Sequence, residues 1–283
     1  MKVPEALVPH WDIVKGASRR SAAVYLDKHL IPERECFRND FDETQVFLAR
    51  GTCVAVSWSD ERIEVTARGT NPKNKTAVRN DCLAVLAEEN YLGSIHLGGR
   101  TELDHVWSRV SGLIGELCEE KHRRIYCVGH SLGGLMAEIA YARLAVAAVS
   151  SCMKCLPFGL ITFGKPLGGD ARFCSWVETI SDLHRMRESG DEDCRAMGHV
   201  RFVNGTDFVT RVPSPWVPGF QRYRQSGVPF RFIGDCLKRD PYRVRVFSHW
   251  LGQRLSRHPI SASFRDHSMS TYLEKIEKLQ VSE

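Results

Sequence analysis

The sequence predicts an α/β protein with a mostly parallel central sheet flanked by helices. Short β-branched apolar runs alternate through the middle of the chain with longer segments whose apolar residues recur every three or four positions. One of these runs passes directly into a helical pattern across "GHSLGG" (129–134), a serine set among glycines. With 283 residues, 43% hydrophobic and 26% charged, the chain is also long enough for one large core. No repeat, low-complexity tract or linker divides it. Residues 1–283 therefore read as a single domain, with an N-terminal helical segment at 1–43 and a basic, aromatic insertion at 214–260.

The elements follow in chain order. "SRRSAAVYLDKHL" (18–30) has helical spacing. "TCVAVSW" (52–58) and "RIEVTA" (62–67) read as strands joined by the turn "SDE". From Glu102 to Glu120, Leu103, Val106, Val110, Leu113, Ile114 and Leu117 fall on one face, which predicts one amphipathic helix. "RIYCVG" (124–129) is a strand, "LMAEIAYARLAVAAV" (135–149) a largely apolar and hence buried helix, and "FGLITFG" (158–164) and "HVRFVN" (199–204) are further strands. The chain closes on an amphipathic helix, "HSMSTYLEKIEKL" (267–279).

The net charge of +5 is mild for this length and does not argue for nucleic acid. No nucleic-acid partner is expected, and no RNP-like or zinc pattern occurs. The N-terminus lacks the apolar stretch of a secretory signal, and no uninterrupted apolar run approaches a membrane span. A cytoplasmic location is the expectation. Ten cysteines are scattered, several within apolar runs, and read as buried free thiols. Cys152 and Cys155 form a lone CxxC with no second pair, after a helix rather than at its start, which argues against metal or redox use.

"GHSLGG" fits G-x-S-x-G through Gly129, Ser131 and Gly133. A serine on a sharp strand-to-helix turn needs neighbours without a Cβ. The helix beginning after it aims amides and a positive dipole end at the same point, so the backbone N–H of Leu132 is a candidate oxyanion donor. A glycine-rich helix start without chemistry has the same local pattern.

Taken together, five segments resemble the class 3 lipase family of α/β-hydrolases, in family order: "ARGT" (67–70), "IHLGG" (95–99), "GHSLGG" (129–134), "TFGKPLGGD" (162–170) and "RFVNGTDFVTRVP" (201–213). The resemblance implies an α/β-hydrolase fold and a serine esterase acting on acyl lipids. It implies that Thr70 lines the oxyanion hole and that His96 braces the site from beneath. It also implies an acid at Asp207, which follows an apolar strand and a small-residue turn and so lies at a carboxyl strand end, where open α/β sheets place their sites. Asp182, Asp191 and Asp193 lie in a polar stretch and are weaker candidates. Three late histidines compete as base: His249, His258 and His267. His267 is preferred, because it opens the last amphipathic helix and "DHSMSTYL" resembles the family's terminal His followed closely by Tyr-Leu. The order Ser131, Asp207, His267 is that of α/β-hydrolases. His130 is assigned a structural role beside the elbow.

No cofactor or metal is expected. The segment "NPKNKTAVRND" (71–81), where the resembling family carries a lid, is polar and basic, which argues against strong activation by oil droplets. Arg222–Arg257 carries nine Arg/Lys against two Asp, with Phe230, Phe232, Tyr242, Phe247 and Trp250 interleaved. It reads either as a strand pair with its aromatics turned inward or as a platform for anionic membrane headgroups. The expected function is a lipase- or phospholipase-type hydrolase with an acyl-enzyme on Ser131. A short-chain esterase, an acyltransferase with the same triad, and a noncatalytic lipid- or protein-binding module are the alternatives. Oligomeric state is open.

Overall fold

The computed structural model describes residues 2–70, 85–150, 153–187, 197–205, 207–215, 218–234, 236–239 and 265–281. The strands are β1 (Glu43–Ala49), β2 (Thr52–Trp58), β3 (Arg62–Ala67), β4 (Leu86–Glu88), β5 (Ser94–His96), β6 (Arg124–His130), β7 (Pro157–Phe163), β8 (Gly198–Asn204), β9 (Val228–Ile233) and β10 (Cys236–Arg239). The helices are α1 (Trp11–Ala23), α2 (Glu35–Arg38), α3 (Leu97–Asp104), α4 (Trp107–Glu120), α5 (Leu132–Val149), α6 (Ala171–Arg187) and α7 (Met269–Glu277).

Among the described residues, eight strands form one sheet in the order β1-β2-β3-β6-β7-β8-β9-β10. The run from β3 to β9 is parallel throughout, and the pairs at the two edges are antiparallel. Both faces are covered, so the central strands are buried almost throughout, and the polar residues within them, such as Glu64 and His199, are hydrogen-bonded to other buried groups. In β6, Ile125 and Cys127 face the core of α4, α5 and α6, while Tyr126 and Val128 face that of α1 and α7. Helix α5 has 18 residues and a mean hydropathy of 1.5, long and apolar enough to cross a membrane by length and composition. Here it packs on β3, β6 and β7 within the core.

Several elements differ from the sequence expectation. The first helix runs over Trp11–Ala23, not 18–30. Its buried face includes Arg20, a residue type that breaks an apolar stripe by composition. Arg20 is fully buried because its guanidinium grips Glu64 of β3 bidentately, at 2.6 Å for both contacts, and also meets Asp40. Such a pair tolerates burial because each charge is hydrogen-bonded by the other. Beyond Ala23, the N–H groups of Tyr25 and Leu26 bond three residues back, and the helix tightens and stops. The single helix expected over Glu102–Glu120 is two, α3 and α4. Val106 stays buried but leaves helical dihedrals at φ −125°, so an apolar period crosses the break unbroken. Strand β1 overlaps the end of the expected helical segment 1–43. Within 214–260, β9 and β10 extend the sheet, and Phe230 and Phe232 are buried in it. Tyr242, Phe247, Trp250, His249 and His258 lie outside the described residues, as do Cys152, Asp191, Asp193 and the segment 71–81. Cys53, Cys118, Cys127, Cys155 and Cys174 are buried free thiols, as expected, but Cys36 is only half-buried and Cys236, on the edge strand β10, is exposed.

Candidate active site

Strand order sets out the site. β3, β6, β7 and β8 lie side by side and parallel, with Ala67 beside Gly129 and His130 beside Phe163. Their carboxyl ends therefore deliver Thr70, Ser131, Gly164 and Asp207 along one edge of the sheet.

Ser131 sits at φ 58°, ψ −130°, between the last residue of β6 and the first of α5. That conformation is strained for a residue with a Cβ. It is held by the Ser131 N–H donating to the Phe163 carbonyl at 2.9 Å. The flanking glycines are steric necessities. A Cβ on Gly129 would lie 2.1 Å from the Gly133 carbonyl oxygen, and one on Gly133 2.2 Å from that of Ala67.

His267 reaches this edge from the opposite end of the chain. Its Nε2 is 2.8 Å from Ser131 Oγ, and its Nδ1 is 3.0 and 3.1 Å from the two Asp207 carboxylate oxygens. Asp207 is fully buried. It also accepts from the Tyr272 hydroxyl at 2.7 Å and the Val209 N–H at 2.9 Å. Burial and the neighbouring Asp207 push the Tyr272 hydroxyl well above its usual range, so it stays a donor. Nδ1 of His267 faces acceptors only and carries the proton, which leaves Nε2 free to accept from Ser131. The histidine is held by its neighbours. Asn204 Nδ2 donates to the Asp266 carbonyl at 2.8 Å, and Lys275 Nζ donates to Asn204 Oδ1 at 2.8 Å. Gly164 adopts φ +58° against this pair, where a Cβ would lie 2.9 Å from Asp207 Oδ2.

His130 is buried directly behind the serine. Its Nε2 lies 2.7 Å from the His267 carbonyl, an acceptor, so Nε2 carries the proton and Nδ1 accepts the Tyr25 hydroxyl at 2.8 Å. Its ring centroid is 4.8 Å from that of His267. Burial, then the nearby His267, push it down to about 3, so it is neutral and braces rather than transfers. His96 is buried too. Its Nδ1 accepts the Gly99 N–H at 3.3 Å, and burial pushes it down to about 4. Thr70 lies three residues past the end of β3, and a Cβ on its neighbour Gly69 would lie 3.1 Å from Ser131 Cβ. Leu132 opens α5, where the first amides have no partner within the helix. Asp182 lies exposed on α6, eleven residues past the start of that helix at Ala171.

Sequence reasoning missed several supports. Tyr25 and Tyr272 act across 105 and 65 residues of chain, with no local signal. Lys165 carries no local signal either. It is fully buried, with Nζ 2.9 Å from Glu138 of α5, and it also donates to Gln225. Glu138 in turn accepts from Ser226. This network ties the loop after β7 to the helix that starts at Ser131. Among the described residues, no cluster of three or more His, Cys, Asp or Glu could hold a metal ion.

The buried imidazoles of His96, His130 and His199 make stability pH-dependent. All three are held below 6.5, chiefly by burial, so as pH drops below that value the unfolded chain binds protons the folded chain refuses, and stability falls as the pH falls. The loss continues down to about 4 for His96 and about 3 for His130. It reaches about 2 kcal/mol per imidazole by pH 5. Thermal melting should show a lower midpoint at pH 5 than at pH 7, and a smaller drop in His130→Gln. An identical drop in that variant would refute the assignment.

The class 3 lipase family model matches residues 64–216, more than half of the chain. Solved structures similar to it include the Rhizomucor miehei triacylglyceride lipase, at 17% identity over 78% of this chain and 79% of that one, with a TM-score of 0.57. Lipase II from Rhizopus niveus is 19% identical over 81% and 82%, with a TM-score of 0.59. Lip2 lipase from Yarrowia lipolytica is 17% identical over 81% of both chains, with a TM-score of 0.53. No curated protein sequence matches the chain. The matched segment spans β3, the serine elbow, β7 and the strand leading to Asp207, so the chain belongs to the class 3 lipase family, lipase-type serine hydrolases on the α/β-hydrolase fold.

Proposed function

We propose that the protein hydrolyses carboxylic esters of acyl lipids, glycerides or phospholipids, through an acyl-enzyme on Ser131. The observation that carries this reading is His267, seated between Ser131 Oγ at 2.8 Å and the Asp207 carboxylate at 3.0 Å. His267 Nε2 takes the hydroxyl proton as Oγ attacks the ester carbonyl. Asp207 keeps the imidazole in the required tautomer and stabilises the imidazolium. The N–H groups of Leu132 and Thr70 take the oxyanion, each worth about 3 kcal/mol in the transition state. The alcohol leaves with the proton from His267, and a water deprotonated by the same imidazole releases the fatty acid. Contact of Arg222–Arg257 with anionic membrane headgroups is part of the same proposal.

Dioctanoyl glycerol and dioctanoyl phosphatidylcholine test this directly. The expected result is titratable fatty acid released from at least one of them and no acyl transfer to added alcohol. Transfer to the alcohol without release to water would make the protein an acyltransferase. Inertness toward both lipids with hydrolysis of p-nitrophenyl butyrate would make it a short-chain esterase, and inertness toward all three would leave it a binding module on a hydrolase scaffold.

A further inference from the structure

A groove of about 700 Å³ opens on the same edge of the sheet, lined by Tyr25 to Lys28, by Leu48 to Gly51 and by Arg68. We propose that it is a subsite for the phosphate headgroup of an anionic glycerolipid whose ester lies at Ser131. The proposal rests on the reading of Ser131 as the ester-attacking group.

Position is the first argument. β2 runs antiparallel to β3, so the turn that precedes it, Arg50–Gly51, stands beside the carboxyl end of β3. Arg68 leaves that end immediately before Gly69, and a Cβ on Gly69 would lie 2.4 Å from the Tyr25 hydroxyl and 3.1 Å from Ser131 Cβ. Tyr25 is thus both a wall of the groove and the partner of His130 behind the serine. The phosphate of a glycerolipid is only a few bonds from its acyl esters, so one molecule can occupy both places.

Charge is the second argument. Lys28, Arg50 and Arg68 line the groove against one carboxylate, Asp27. Arg68 Nη2 donates to the Gly51 carbonyl at 2.7 Å, which ties the guanidinium across the gap between the hairpin turn and the strand end. A tethered guanidinium is pre-organised for the oxygens of a phosphate. Among the described residues, only Leu26, Leu48 and Ala49 bring aliphatic side chains to the lining, which suits a headgroup better than an acyl chain.

The test uses dihexanoyl lipids below their micellar concentrations, so that no charged surface contributes. The wild-type protein should show kcat/KM about tenfold higher for dihexanoyl phosphatidylglycerol than for dihexanoyl glycerol, expressed in KM. The double variant Lys28→Glu/Arg68→Gln should lose that preference, its kcat/KM becoming equal for the two lipids. Equal wild-type values for the two lipids, or a preference that survives the double variant, would overturn the subsite. If no ester is hydrolysed at all, the nucleophile reading fails. The groove is then decided by calorimetry on Ser131→Ala, where tighter binding of the phosphatidylglycerol than of the glycerol supports it and equal binding overturns it. Inorganic phosphate binding as tightly as the lipid would assign the groove to free phosphate and overturn the headgroup assignment.

Discussion

Ser131→Ala is expected to lower ester hydrolysis about 10⁶-fold while the protein remains folded, because members of such a triad act as a unit and losing the nucleophile costs nearly the whole of their contribution. The variant removes one atom, Oγ, whose described partner is His267 Nε2. The bonds that hold the elbow are backbone bonds, from Ser131 N–H to the Phe163 carbonyl and from Gly134 N–H to the Ser131 carbonyl, and both survive. Residual activity should come from the oxyanion donors and substrate positioning alone. Initial rates on a soluble ester, with thermal midpoints measured in parallel, check this. A variant that keeps a tenth of wild-type activity would show that another group attacks the ester.

Asp207→Asn is expected to reduce kcat about 10⁴-fold with KM little changed. The carboxylate accepts from three donors at once: His267 Nδ1–H, the Tyr272 hydroxyl and the Val209 N–H. An asparagine has one acceptor oxygen and presents an NH2 in place of the other. The imidazole relieves that conflict by moving its proton to Nε2, where it can no longer receive one from Ser131. Substrate binding does not involve Asp207, which is fully buried, so the loss should appear in kcat. A variant that mainly raises KM would place Asp207 in substrate binding instead.

The legible parts of the fold are those where local composition and burial agree. β2 and β3 are readable to the residue and β6, β7 and β8 to within one, because short runs rich in β-branched and aromatic residues between turn residues mark buried strands even where Glu64 or His199 interrupts them. The serine elbow is legible because two backbone collisions exclude a side chain at Gly129 and Gly133. Asp207 and His267 can be named as partners because each follows or opens an element of recognisable pattern and because the segments around them resemble those of the class 3 lipase family, which is what favours His267 over His249 and His258. Helix α1 is obscured by Arg20, whose burial is licensed by Glu64, a residue 44 positions away. The break between α3 and α4 is obscured because Val106 keeps the apolar period while its backbone departs from it. The Tyr25–His130, Tyr272–Asp207 and Lys165–Glu138 contacts exist only once the chain is folded, so no window of sequence contains both partners.

The proposed mechanism requires Ser131 to be an activated nucleophile. Labelling the intact protein with a fluorophosphonate probe, followed by peptide mapping, tests it most directly. The account predicts one modified peptide, carrying the adduct on Ser131, with labelling abolished in Ser131→Ala and strongly slowed in His267→Ala. Folded protein that takes up no probe, with or without lipid vesicles present, or an adduct on any other serine, would contradict it.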